Sequence, residues 1–339
     1  MTSEQVTTSA TATASLEAPP GSGRERVFGL IQRHGAAAVL VLLVAVGSLT
    51  FDRFPTGENL GNITITSSFL AMVALGMTFV IITGGIDLSV GSVFALGGVL
   101  AAYGVRWGSL AALLLPLVVC GAIGLLQGLL IAKVRLAPFI VTLAGLLGAR
   151  GLLLSISDEG STTYLIPHDS VLARIGQGEF LGLGYPVYLT LVFFLMGAVL
   201  LQRTGFGQSV YAIGGAEDAA ALMGVPVART KATVYAMSGV LAGLAGALNA
   251  ARLSSGVTIL GTGMELDAIA AVVIGGTLLT GGAGSMSGTV AGVLLLGVIQ
   301  NLINQIGDLS SSYQQVVSGA FLAVVVVVQT YLSRVQRLQ

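Results

Sequence analysis

Few residues in this chain have a type and setting that suit chemistry. Asp87 lies in Thr83-Gly84-Gly85-Ile86-Asp87-Leu88-Ser89-Val90-Gly91-Ser92 and is the only charge between Glu58 and Arg106. The glycines permit an unwound backbone. A carboxylate there can cap the following helix or face a polar pathway, and the two roles are compatible. Gln127, Asn249, Gln300, Asn301 and Asn304 are amides in otherwise apolar runs. Amides offer donors and acceptors without a strong field, which suits a neutral, hydroxyl-rich solute. They equally serve hydrogen bonds between helices. Glu265 and Asp267 form an acidic pair ahead of another apolar run.

A further segment runs from Val210 to Pro226. Gly214-Gly215 ends one element, Glu217 and Asp218 favour the start of a short helix, and Gly224 with Pro226 ends it. Ala219, Ala220, Leu222 and Met223 give that helix an apolar face. Such a face fits a groove on a soluble partner. A helix lying on lipid is the other option, but an acidic start without lysine over 213–228 argues against attraction to a membrane surface.

Catalytic machinery is not expected. There is no Gly-x-x-x-x-Gly-Lys-Ser/Thr loop, and Lys133 and Lys231 lie outside any glycine-rich turn. No Ser-His-Asp set or paired catalytic carboxylates are evident. Cys120 is single, and neither His34 nor His168 has a partner at metal-ligand spacing, so no metal or cofactor is expected. If ATP drives this protein, another chain hydrolyses it.

The elements that position these residues follow from composition. The chain has 339 residues, 54% hydrophobic and 9% charged, with mean hydropathy +0.92. Soluble domains carry about 25% charged residues, so the chain lacks the polar residues needed to cover a water-facing surface. Its 48 glycines suit close helix contacts in a bilayer. A net charge of zero gives no basic patch for nucleic acid.

Charge-free stretches locate ten helical spans, at about 35–51, 60–82, 88–105, 109–132, 137–156, 186–202, 232–251, 267–281, 285–306 and 311–332. The uncharged stretch 268–307 is too long for one span, and Thr280-Gly281-Gly282-Ala283-Gly284 divides it. Helices are expected because lipid leaves the backbone no other partner and nothing closes a barrel. With the N-terminus in the cytoplasm, ten basic residues fall inside and four outside. Both termini are therefore expected in the cytoplasm. Spans 2–5 and 7–10 then form two four-helix blocks of opposite orientation. Gly284, Gly288 and Gly292, with Gly239 and Gly243, mark close packing.

Residues 1–33 are expected to be a disordered cytoplasmic tail, 34–333 the transmembrane domain with a cytoplasmic loop at 203–231, and 334–339 a short cytoplasmic tail. Candidates for lining a translocation path are Asp87, Ser89, Gln127, Asn249 and Asn301. Glu265 and Asp267, at the outer end of span 8, are candidates for facing a binding protein or lining the entrance, or are simply solvated.

Four segments resemble the ribose-type sugar permeases of bacterial ATP-binding-cassette (ABC) importers. They are Ile82 to Ser92, Pro138 to Gly145, Tyr211 to Val225 and Glu265 to Thr277. The resemblance extends over about 40–332. Met264 to Ala270, Gly275 to Leu279 and Leu309-Ser310-Ser311 are similar to permease subunits of galactofuranose importers. The family implies a non-enzymatic subunit of the bacterial inner membrane. Its partners would be a cytoplasmic ATP-binding subunit, an extracytoplasmic sugar-binding protein and a second permease, identical or a sister chain. The transported solute would be ribose, galactofuranose or a similar sugar. The resemblance also places the ATPase-coupling segment at Gly214, Gly215, Glu217, Asp218, Ala220, Met223 and Gly224. The competing expectation is an ion-coupled transporter of a small polar solute.

Overall fold

A computed structural model describes residues 23–306 and isolated positions between 316 and 327, with side chains from residue 35. The expected last span at 311–332, the tail at 334–339 and Leu309-Ser310-Ser311 lie outside the continuously described part. So do residues 1–22.

The described chain is helical almost throughout. In order it forms α1 (Gly23–Thr50), α2 (Gly57–Ile82), α3 (Val90–Gly104), α4 (Ser109–Lys133), α5 (Pro138–Ile156), α6 (Val171–Gln177) and α7 (Tyr185–Arg203). Then come α8 (Gly205–Gly215), α9 (Glu217–Leu222), α10 (Val227–Leu253), α11 (Met264–Ile274) and α12 (Met286–Ile306). A small hairpin, β1 (Glu179–Phe180) and β2 (Leu183–Gly184), precedes α7. Its turn residues Leu181 and Gly182 both have positive φ, the geometry of a two-residue hairpin.

Among the described residues, seven helices are long and apolar enough to cross a bilayer. They are α2, α3 with its 3-10 extension, α4, α5, α7, α10 and α12, close to the expected spans. The apolar part of α1, Gly35–Thr50, is shorter. Helix α1 starts at Gly23, so 23–33 continue a helix where a tail was expected.

The eighth expected span, 267–281, needs correction. Helix α11 has 11 residues and stops at Ile274. At about 1.5 Å per residue it is about 16 Å long, roughly half of a 30 Å hydrocarbon core. Gly275 and Gly276, the latter at φ +91°, turn the chain out of the helix. The break therefore begins five residues before Thr280. Residues 275–285 follow as irregular backbone, and so do 254–263 ahead of α11.

Helix α10 runs through the centre and packs on α2, α3 and α4. Missing side chains make this possible. A Cβ on Gly124 would strike the carbonyl of Tyr235, and one on Gly239 the carbonyl of Cys120. Gly288 meets Gly275, just past α11, and Gly292 meets Ala271 of α11, as their spacing suggested, while Gly284 lies before α12 and meets Thr277. Leu114, Val118 and Leu126 of α4, Ile140 and Leu147 of α5, and Leu191, Leu195 and Val199 of α7 point outward. An apolar exterior of this kind suits lipid.

Candidate functional site

The break between α2 and α3 places Asp87 among hydroxyls and an amide. One Asp87 carboxylate oxygen, Oδ1, accepts from the Ser89 amide at 3.0 Å and from Ser89 Oγ at 2.6 Å. The other, Oδ2, accepts from Ser238 Oγ of α10 at 2.8 Å. Gln127 Nε2 of α4 donates to Ser89 Oγ at 3.0 Å. The Ile86 carbonyl receives Tyr235 Oη at 3.3 Å and Thr142 Oγ1 at 3.4 Å. Asp87 is 1% exposed, and Ser89, Gln127 and Ser238 are also buried. These bonds join α3, α4, α5 and α10 around one acid. Asp87 bonds the amide of the cap residue Ser89, an Asx-type turn, and leaves the amides of the first turn of α3 uncapped by side chains.

Two sequence candidates meet in a second place. Asn301 and Asp267 line a cleft of about 320 Å³ between α2, α11 and α12. Asn62, Thr66, Ser67, Gln300 and Asn304 complete its polar wall. Asn301 and Asn59 exchange amide bonds at 2.8 and 3.1 Å, and Gln305 Nε2 donates to Asn301 at 2.9 Å. Ser67 Oγ is buried with no hydrogen-bond partner. Asp267, a candidate for facing a binding protein or lining the entrance, lines this cleft. Its neighbour Glu265 points to the start of α3, where a Cβ on Gly91 would meet Glu265 Oε2 and the Gly261 carbonyl. Arg150 fastens the preceding loop through the carbonyls of Thr258, at 2.7 Å, and Leu260, at 3.3 Å. Asn249, half-buried on α10, belongs to neither group.

The 203–231 loop folds as two helices, α8 and α9. Gly215, Glu217, Asp218, Met223 and Gly224 are exposed. Leu222 is 90% and Met223 77% exposed, whereas Ala220 is buried against its own chain. Lys231 Nζ of α10 braces Glu217 at 2.6 Å. Gly224, at φ +82°, ends the segment. Gly214 sits where three segments cross. A Cβ there would collide with the Ile82 carbonyl, at the end of α2, and with the Gly282 amide. The Gly282 amide donates to Ile82 at 2.9 Å, and Tyr211 Oη donates to the Gly284 carbonyl at 2.7 Å.

Ser238, Tyr235, Asn62 and Ser67 were not among the residues expected from the sequence. Asn59, Asn62 and Thr66 do recur at helical spacing on α2, a pattern that marks one polar face. Nothing local singles out Ser238.

A family model described as branched-chain amino acid transport system / permease component matches residues 59–326. The ribose import permease protein RbsC of Escherichia coli (strain K12) is 41% identical over 303 residues, 88% of this chain and 94% of the relative. RbsC of Bacillus subtilis (strain 168) is 40% identical over 300 residues, 88% and 92% of the two chains. The L-arabinose ABC transporter permease protein AraH of Azospirillum brasilense is 35% identical over 322 residues, 92% and 91%. No solved structure matches. A family match over most of the chain and relatives aligned over nearly their whole length agree with the membrane-spanning helices described above, and the chain belongs to this permease-component family, among the ribose-type permeases of ABC transporters.

Proposed function

We propose that this protein is the membrane permease subunit of an ABC importer that carries a monosaccharide across the bacterial inner membrane by alternating access. The relatives' names, ribose import permease and L-arabinose permease, support a sugar rather than an amino acid. Ribose and galactofuranose are the sugars proposed. Both termini and the α8–α9 segment face the cytoplasm. ATP is hydrolysed on a separate subunit docked there, a sugar-binding protein delivers from outside, and a second permease completes the path.

The observation that carries this reading is the α8–α9 segment. Its tip offers Leu222 and Met223 to solvent, while Gly214 at its base is wedged against the end of α2 and the 281–282 turn. A partner that grips the tip pushes directly on both irregular breaks in the helices. Gly84, which touches this crossing through Gly281, is three residues from Asp87. Asp87, Ser89 and Gln127 tie that break to α4 and α10, so movement of α8 tilts these helices together.

The test replaces Met223 by Glu in the assembled importer. Sugar uptake and co-purification of the ATP-binding subunit should both fall about tenfold, the scale of one lost apolar anchor. Unchanged uptake would remove the docking role. Accumulation driven by an ion gradient, with no nucleotide, would favour the ion-coupled alternative.

A further inference from the structure

We infer that the cleft between α2, α11 and α12 is a sugar-contact site within the permease, with Asp267 accepting from the sugar hydroxyls and Asn301 donating one hydrogen bond. This inference rests on the sugar-import reading and adds a site to it.

The walls have the chemistry of a polyol site. Asn62 and Gln300 each carry a carbonyl oxygen and an NH2 group, and Asn301, whose Oδ1 accepts from Asn59 and Gln305 and whose Nδ2 donates to Asn59, keeps one Nδ2 hydrogen to donate. Asp267 supplies a carboxylate, an acceptor of two hydroxyl hydrogens at once. Leu70, Ile63 and Met264 give apolar surface for the face of a ring. The volume, about 320 Å³, is at the lower end of small-molecule pockets. Ser67 is 5% exposed, and its Oγ has no partner. Buried hydroxyls are normally satisfied, and this one lies on the cleft wall.

Depth agrees with a transit site. Leu70 lies 13 residues beyond Gly57, the first residue of α2 (70 − 57 = 13). At about 1.5 Å per residue that is about 20 Å, more than half of a 30 Å core. The cleft follows α2 from near its start to the level of α11, whose first turn contributes Met264 and Asp267. The short length of α11 is what brings that first turn into the interior. On the proposed topology the cleft lies toward the outer face, where a binding protein releases its cargo.

The experiment uses the complete importer in sealed vesicles with ATP and radiolabelled D-ribose, L-arabinose and D-galactose as probes. Asp267→Asn and Asn301→Ala should each reduce uptake about tenfold while ATP hydrolysis stimulated by the binding protein stays within about twofold, so fewer sugars cross per ATP. A role confined to folding would lower both rates and the amount of assembled complex together. As an independent readout, Thr66→Cys, at an exposed position of the same wall, should react with a small polar thiol reagent, and the transported sugar should slow that reaction. The native Cys120 is buried and gives a quiet background. Normal sugar-to-ATP ratios in Asp267→Asn and Asn301→Ala, or a Thr66→Cys thiol that does not label or whose labelling sugar does not affect, would overturn the site while leaving the importer reading intact. Failure of wild-type vesicles to take up any of the probes would overturn the importer reading and the site with it.

Discussion

At the residue scale, Asp87 shows how a buried charge becomes tolerable. Both of its oxygens are occupied, by Ser89 and Ser238. Replacing it with Ala leaves the Ser238 hydroxyl and the Ser89 amide without an acceptor, at about 1–3 kcal/mol for each buried group. Asn keeps one carbonyl acceptor and presents an NH2 that Ser238 Oγ can receive. Thermal unfolding in detergent should therefore rank wild type above Asp87→Asn and Asp87→Ala lowest. Equal melting temperatures for all three would show that the cluster adds no stability. The sequence showed an isolated acid beside glycines. Its distant partner, Ser238, is 151 residues away, and no local pattern links the two.

At the element scale, glycines decide where helices may touch and where they must stop. Adjacent glycines can do different work. Gly214 faces the Ile82 carbonyl and the Gly282 amide, whereas nothing lies within 4 Å of a Cβ on Gly215. Gly214→Ala should therefore destabilise the assembly by about 1–3 kcal/mol through overpacking. Gly215→Ala should be close to neutral. Unfolding midpoints of the two variants, compared in the same detergent, check the difference; equal shifts would refute the crossing described here. The half-length of α11 belongs to this scale too. Its residues are as apolar as a full span, and hydropathy alone extends it to residue 281. The positive φ angles of Gly276, Gly281 and Gly282 break it, and the turn at 281–282 is packed against Ile82, Gly84 and Gly214.

At the scale of the whole molecule, the exposed tip at Met223 and the exposed Trp107 beyond α3 belong to opposite ends of the bundle. Helix α4, whose 25 residues extend about 37 Å, separates Trp107 from the end that carries Lys133. Met223→Cys and Trp107→Cys should therefore be labelled by an impermeant thiol reagent from opposite sides of sealed vesicles, Met223→Cys from the cytoplasmic side. Labelling of both from one side would refute the proposed topology.

The sequence alone determined that the chain lives in lipid, and it located seven of the described long helices. Both follow from composition and from the length of charge-free runs, because a bilayer imposes the same requirement on every span. It also located the α8–α9 segment, since glycine, acid and proline punctuate helices locally. Tertiary structure decided what those signals leave open. It set Asp87 against Ser238, brought Asp267 and Asn301 together in one cleft, and shortened α11. Each of these depends on which backbone approaches which, over separations of tens to hundreds of residues. In a bundle where nearly every helix is apolar on all sides, hydrophobicity does not choose the neighbours; small residues and a few buried polar bonds do.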